Sequence, residues 1–279
     1  VGDAARALFV RRGGLGDTLL MVPVLRALRR ARPGCELHVA GVHEFVVLLA
    51  HFGVADAAWS SEDVRAWPAA RRNDYAAVVV DDPALAALFA SSAVRAFDPR
   101  PRGVAPLAQQ VAAQLALALH WPHDAWLRDA SLHDPPGAAN APVMLAPGSG
   151  SRSKCWPRER WLELARELGG AQVLVGPVEV ERDDPRAWPW PVRVQFVAGD
   201  TIAMAARLQA AGAFVGNDSG TTHLAAMLGL PTVALFGAGD PAVFAPIGPR
   251  ATVLQAASRR LEDLAVPAVA QALAALRQN

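Results

Sequence analysis

Val215-Gly216-Asn217-Asp218-Ser219-Gly220-Thr221-Thr222-His223 joins a short apolar run, Ala213–Val215, to a helical segment read over Thr221–Leu228. A second apolar run, Thr232–Phe236, follows directly after the turn residues Gly229 and Pro231. Runs of this length, rich in β-branched residues and bounded by glycine and proline, read as buried strands, and the apolar segment between them is long enough only for a short helix. Strand, small-residue loop, helix and strand in that order make a unit whose two strands run parallel.

The same alternation continues outward in both directions. Toward the N-terminus of this half the expected strands are Val143–Ala146, Gln172–Val175 and Val192–Phe196, with helices near Pro157–Leu168 and Thr201–Ala211. In the first half the expected strands are Ala7–Arg11, Glu36–Gly41, Tyr75–Val80 and Val94–Phe97, separated by helices near Asp17–Ala31, Glu44–Phe52 and Pro106–His120. Leu132–Pro142, with the composition HDPPGAANAP, interrupts the pattern and reads as a linker. The expected organisation is α/β, with a Rossmann-like domain over residues 1–138 and a second over 139–279 facing it across a cleft. A terminal helix over Pro267–Leu276 is free to pack back on the first domain.

Composition narrows the classes of function. The chain has 279 residues, is 52% hydrophobic and carries a net charge of +1, which describes an ordered globule with no global field to attract nucleic acid. Its two cysteines, Cys35 and Cys155, stand far apart without metal-ligand spacing, as expected in a reducing cytoplasm. Charges interrupt the N-terminal apolar residues, so no secretory signal is expected, and Leu224–Gly239 is too short and too broken to span a bilayer. Arg26, Arg29, Arg30 and Arg32 form a basic cluster that reads either as a solvated helix face or as a peripheral contact with the inner membrane.

Four strand-to-helix loops carry the candidate chemistry. Arg12-Gly13-Gly14-Leu15-Gly16-Asp17-Thr18 has glycines for close backbone approach, yet the third glycine of a dinucleotide fingerprint is replaced by Leu19, which disfavours a dehydrogenase. Asp17 reads as a helix cap or as a carboxylate that takes a proton from a substrate hydroxyl; spacing leaves both open. Pro147-Gly148-Ser149-Gly150-Ser151-Arg152-Ser153-Lys154 offers small residues, hydroxyls and a point charge suited to a diphosphate, without Walker spacing. The loop Asp218, Ser219, Gly220, Thr221, Thr222 and His223 presents a second anion-receptive helix start. Gly176-Pro177-Val178-Glu179-Val180-Glu181 places two carboxylates at a strand end, where a carboxylate accepts both hydroxyls of a ribose or begins a solvated helix. There is no Asp-x-Asp, and His and Cys do not cluster at ligand spacing, so a metal-independent mechanism without a resident cofactor is expected.

Several of these pieces, in order, resemble glycosyltransferase family 9, the bacterial heptosyltransferases and their relatives. They are GGLGDTLLMVPVLRAL, the Pro147–Lys154 loop continuing into Cys155-Trp156-Pro157 and Trp161, GPVEVER, and GNDSGTTHLAAMLGLPTVALFGAGDP. The resemblance implies a GT-B architecture and inverting transfer of a sugar, usually heptose from ADP-heptose, to an acceptor hydroxyl of a lipopolysaccharide core or related glycan or glycolipid. It implies Asp17 as general base, beside the loop glycines Gly14 and Gly16 on the acceptor side. It further implies Ser149, Gly150, Ser151, Lys154 and Asp218 through His223 around the donor diphosphate, and Gly176, Glu179 and Glu181 near the nucleoside. Two other readings stay open: a GT-B epimerase acting on a nucleotide sugar alone, and a non-catalytic binder of nucleotide or protein.

Overall fold

The computed structural model describes residues 5–89, 93–116, 131–132 and 141–278. The chain divides into two compact units, Val1–Ala130 and Ser131–Asn279. The domain boundary expected at 138/139, most of the expected linker and the end of the helix expected to reach His120 lie outside the described residues.

In the first unit β1 (Arg6–Arg11), β2 (Glu36–Gly41), β3 (Ala57–Ser60), β4 (Tyr75–Val80) and β5 (Ala93–Ala96) form one sheet in the order β3-β2-β1-β4-β5, every pair parallel. The inner strands read as nearly continuous apolar runs because helices cover both faces of a parallel sheet. Leu8, Val10, Val78 and Val80 join Trp67, Tyr75, Leu85 and Phe89 in a buried cluster. β3 was not expected, since Ala57-Ala58-Trp59-Ser60 holds one strong strand former; pairing with His38–Gly41 of β2 supplies what propensity does not.

The helix expected to run unbroken over Asp17–Ala31 is two helices, Leu15–Leu19 and Val22–Ala31. Pro23 explains the break. Without an N–H it cannot bond the Leu19 carbonyl, and it is tolerated only in a first helical turn.

In the second unit β6 (Val143–Ala146), β7 (Ala171–Leu174), β8 (Val194–Val197), β9 (Ala213–Asn217), β10 (Thr232–Phe236) and β11 (Ala251–Gln255) order as β11-β10-β9-β6-β7-β8, again all parallel. β11 is a further strand that the sequence reading left out. Trp156 and Trp161 meet edge to face at 5.2 Å in the core of this unit. Both indole N–H groups are satisfied, Trp156 Nε1 donating to the Leu264 carbonyl at 3.1 Å and Trp161 Nε1 to the Trp156 carbonyl at 3.2 Å. The terminal helix, Val266–Gln278, buries Val266, Val269 and Leu273 in the same core.

Strand order fixes where ligands can lie. In each sheet the chain builds outward on one side of its first strand and then returns to build on the other. Loops after β1 and β4 therefore leave in opposite directions, as do those after β6 and β9, and each seam opens a crevice at the carboxyl ends of its strands. Trp161→Ala is expected to lower stability in urea unfolding by about 3–5 kcal/mol, the usual cost of emptying a buried aromatic site; a loss below about 1 kcal/mol would contradict this account of the core.

Candidate functional site

The seam between β6 and β9 is tied by Asn217, whose side chain sits at the end of β9 with no exposure to solvent. Its amide nitrogen donates to the Pro147 carbonyl at 2.7 Å, and its amide oxygen accepts the Trp156 N–H at 3.0 Å. These bonds hold both ends of the loop after β6. Ser149 Oγ then donates to the Asp218 carbonyl at 2.8 Å, and Lys154 Nζ lies 2.7 Å from Asp218 Oδ2. Lys154 remains half exposed while the Asp218 carboxylate is buried, so the ammonium has a fixed partner on one side and an open face on the other.

Ser219 is the N-cap residue of the helix Gly220–Met227, but its hydroxyl does not cap. It pairs instead with the Thr221 and Thr222 hydroxyls at 2.9 and 3.2 Å, and Thr222 Oγ1 donates to the Asn217 carbonyl. The first amides of this helix, at Gly220 and Thr221, stand at the positive end of its dipole. His223 is buried within the first turn. Gly216 must be glycine here, because a Cβ would stand 2.5 Å from the Phe214 ring and 2.6 Å from Thr222 Oγ1.

A pocket of about 300 Å³ opens on the same edge, lined in part by Gly148, Ser149, Trp156, Glu179, Arg182 and Trp188. Glu179 accepts the Gly176 N–H at 2.8 Å, which fastens it at the start of the helix Pro177–Arg182, and its other oxygen lies so close to Gly148 that any Cβ there would overlap it. Glu181, on the same helix, is exposed and is not among the residues lining the pocket. Gly150 and Ser151 are exposed in the loop; Ser151 Oγ bonds Ser153 Oγ at 2.9 Å. Burial, and then the charge of Glu179, pushes the Cys155 thiol up, so a thiolate nucleophile is not offered at this pocket at neutral pH. Among the described residues no three His, Cys, Asp or Glu side chains converge as a metal cluster would require.

The seam between β1 and β4 carries charge of a different kind. Asp17 lies in the third position of the helix Leu15–Leu19, with Oδ2 accepting the Gly14 N–H at 3.0 Å and Oδ1 at 2.9 Å from the Arg11 guanidinium. Arg11 also reaches Asp81 Oδ2 at 2.9 Å. Arg12 and Arg65 pair with Asp82 at 3.2 and 2.8 Å. Burial by itself raises the Asp82 carboxyl, but the Ala84 amide and the Arg12 charge outweigh it and hold the group below the ordinary range.

Sequence reading missed Arg11, Asp81, Asn217 and Arg182. The last donates to the Ser149 and Gly150 carbonyls at 3.1 Å each. Asp81 stands beside Asp82 ahead of Pro83, the composition of an ordinary turn. The available signal was polarity out of place: Arg11 follows the apolar run ALFV, and Asn217 ends the strand AFVGN.

The family model described as glycosyltransferase family 9 (heptosyltransferase) matches residues 106–272. The chain belongs to glycosyltransferase family 9. The matched span contains the whole β6–β9 seam, while Asp17 and Arg11 lie before it. Lipopolysaccharide heptosyltransferase 1 of Escherichia coli is 30% identical over 124 residues, which are 42% of this chain and 38% of that protein. The aligned region therefore spans well under half the length of that curated relative. Among solved structures, a glycosyl transferase family 9 protein from Veillonella parvula superposes with a TM-score of 0.79 at 18% identity, covering 99% of this chain and 98% of that one. Escherichia coli heptosyltransferase WaaC, solved with ADP, gives 0.71 at 21% identity, covering 97% and 99%. These likenesses establish the GT-B fold for this member of the family.

Asn217→Ala would strand a buried carbonyl and a buried N–H at about 1–3 kcal/mol each, so urea unfolding is expected to register a loss of about 2–6 kcal/mol. A change within about 0.5 kcal/mol, the range of an indifferent surface substitution, would mean that this amide does not hold the seam.

Proposed function

We propose that this family 9 chain is an inverting, metal-independent glycosyltransferase that moves a sugar, heptose from ADP-heptose, to an acceptor hydroxyl in lipopolysaccharide core or a related glycan. The observation that carries the reading is the convergence of Ser149, Lys154, Asp218 and the start of the helix Gly220–Met227 on the β6–β9 seam. A cation, hydroxyls and helix amides at one strand edge suit a diphosphate better than any neutral ligand. The ADP held by WaaC, which shares the fold, supports the same donor class.

In this reaction the Asp17 carboxylate accepts the proton of the acceptor hydroxyl as its oxygen attacks the anomeric carbon. The bond from that carbon to the diphosphate oxygen breaks, and the electron pair leaves on the diphosphate. Attack from the face opposite the departing group inverts the anomeric centre. Lys154 and the amides at Gly220 and Thr221 stabilise the charge that gathers on the leaving group, about 3 kcal/mol for each well-placed donor. The Ser219 and Thr221 hydroxyls orient the diphosphate, Ser149 and Thr222 brace the two loops by donating to the Asp218 and Asn217 carbonyls, His223 packs behind them, and Glu179 accepts the ribose hydroxyls from the pocket edge. The base contributes about 10²- to 10⁴-fold in rate. The reading places the reaction in the cytoplasm, with the acceptor presented at the inner membrane; among the described residues no helix is long and apolar enough to cross a membrane.

Thermal denaturation with ADP, UDP, GDP or CMP tests the donor class, because a ligand that binds only the folded state raises its stability. ADP alone is expected to raise Tm. Lys154→Ala is expected to weaken the ADP shift, whereas Asp17→Asn is expected to keep it and to lose transfer of heptose by at least about 10²-fold. No response to any of the four nucleotides would refute the donor assignment, and near-normal turnover by Asp17→Asn would remove Asp17 from the mechanism.

A further inference from the structure

The carboxylate assigned as base is not held by its own helix alone. Arg11 ends β1, Asp81 follows β4, and the two strands are neighbours in the sheet, so both side chains reach the same seam. The Arg11 guanidinium is 8% exposed and the Asp81 carboxylate 4%, against 40% for Asp17. One end of the guanidinium fork, Nη2, meets Asp17 Oδ1 at 2.9 Å, and the other, Nη1, meets Asp81 Oδ2 at 2.9 Å. Asp81 Oδ2 also accepts the backbone N–H of Arg12 at 2.9 Å. Gly13 clears the way for this chain of groups, because a Cβ there would stand 2.6 Å from Asp17 Cβ and 2.9 Å from Arg11 Cζ.

We propose that Arg11 and Asp81 are positioning residues for Asp17, a buried guanidinium and carboxylate that hold the exposed carboxylate in one orientation toward the acceptor hydroxyl. The proposal rests on the reading of Asp17 as base. Asp81 is locked from beneath by the Arg12 amide, so it cannot follow Arg11 if Arg11 moves. Arg11 is locked in turn by Asp81, and the planar fork transmits that constraint to Asp17. Oδ2 of Asp17 is fixed by the Gly14 N–H and Oδ1 by Arg11, which defines the plane of the carboxylate and leaves further lone pairs facing solvent. A lysine cannot replace the fork in full, because a single ammonium lacks the two separate nitrogens, fixed in one plane, that address two carboxylates at once. The net charge of the trio, −1, is the charge the base needs when it meets a neutral hydroxyl.

A pair that merely staples β1 to β4 would behave differently from one that aims a base, and kinetic variants separate the two. The substrates are ADP-heptose and a heptose-free truncated lipopolysaccharide, and each variant is also followed by thermal melting and by its ADP shift. Arg11→Met is expected to lower kcat by about 10²-fold, the cost of misplacing a reacting group by an ångström, with KM for ADP-heptose within about twofold of wild type. Arg11→Lys, folded and milder, is expected to recover about tenfold of that loss. Asp81→Asn retains an acceptor for Arg11 and for the Arg12 amide and is expected to fall between wild type and Arg11→Met. The double variant Arg11→Met with Asp17→Asn is expected to be no slower than Asp17→Asn alone, because residues acting as one unit are not additive.

Normal kcat in Arg11→Lys and Asp81→Asn, or a double variant slower by the product of its singles, overturns the positioning role. Wild type that binds ADP and does not transfer heptose refutes the acceptor and base reading instead. In that event the melting shifts of Arg11→Lys and Asp17→Asn decide whether the trio exists: a non-additive double shift upholds the coupling, and an additive one overturns it.

Discussion

Asn217 is the amide on which the second unit's chemistry depends. A parallel sheet with its strand order reversed at β6 and β9 leaves a gap between two loops whose backbone groups have lost their ladder partners. A side-chain amide carries one donor edge and one acceptor, and at this gap it serves the Pro147 carbonyl with the first and the Trp156 N–H with the second. The loop between those two anchors contains Ser149 and Lys154, and the residue after Asn217 is Asp218. Fixing one amide therefore sets the separation of the hydroxyl, the ammonium and the carboxylate. Trp156 carries the constraint inward, through its indole to Leu264 and through its carbonyl to Trp161, so the loop is tied to the buried core.

The two units repeat one architectural device with opposite chemistry. Each places its charged groups at the crevice opened by a reversal of strand order, where helices and loops diverge. At β6–β9 a partly exposed lysine stands over a buried aspartate, which presents positive charge to a ligand. At β1–β4 a buried arginine stands under an exposed aspartate, which presents negative charge. The first arrangement suits a departing diphosphate and the second suits a hydroxyl that must lose its proton. Burying the counter-charge in each case fixes the polarity of the face that remains open and keeps the buried ion paired.

Strands buried on both faces were the legible part of the sequence. Tyr75–Val80, Val143–Ala146 and Thr232–Phe236 carry nearly continuous apolar runs between turn residues, and the structure places strands over the same bounds, as it does over Glu36–Gly41. β3 lies at a sheet edge and holds one strong strand former, Trp59, so its sequence announces little, whereas β11, ATVLQ, carries the β-branched residues of a strand and was overlooked. The split of the Asp17–Ala31 segment was readable from Pro23, since a missing N–H within a helix has one consequence. The loops Ser149–Lys154 and Asp218–His223 stood out because small and hydroxyl residues gather there. Arg11, Asp81 and Asn217 did not, because their importance lies in contacts across the sheet between residues distant in the chain. Glu179 accepts a helix-start amide and also borders the pocket.

The central claim is that the β6–β9 seam holds the diphosphate of an ADP-linked donor, and a crystal structure of the ADP complex tests it most directly. The account predicts diphosphate oxygens within hydrogen-bonding distance of Lys154 Nζ and of the amides at Gly220 or Thr221, with the ribose hydroxyls on Glu179. ADP seated elsewhere, or a diphosphate that leaves Lys154 paired only with Asp218, would contradict it.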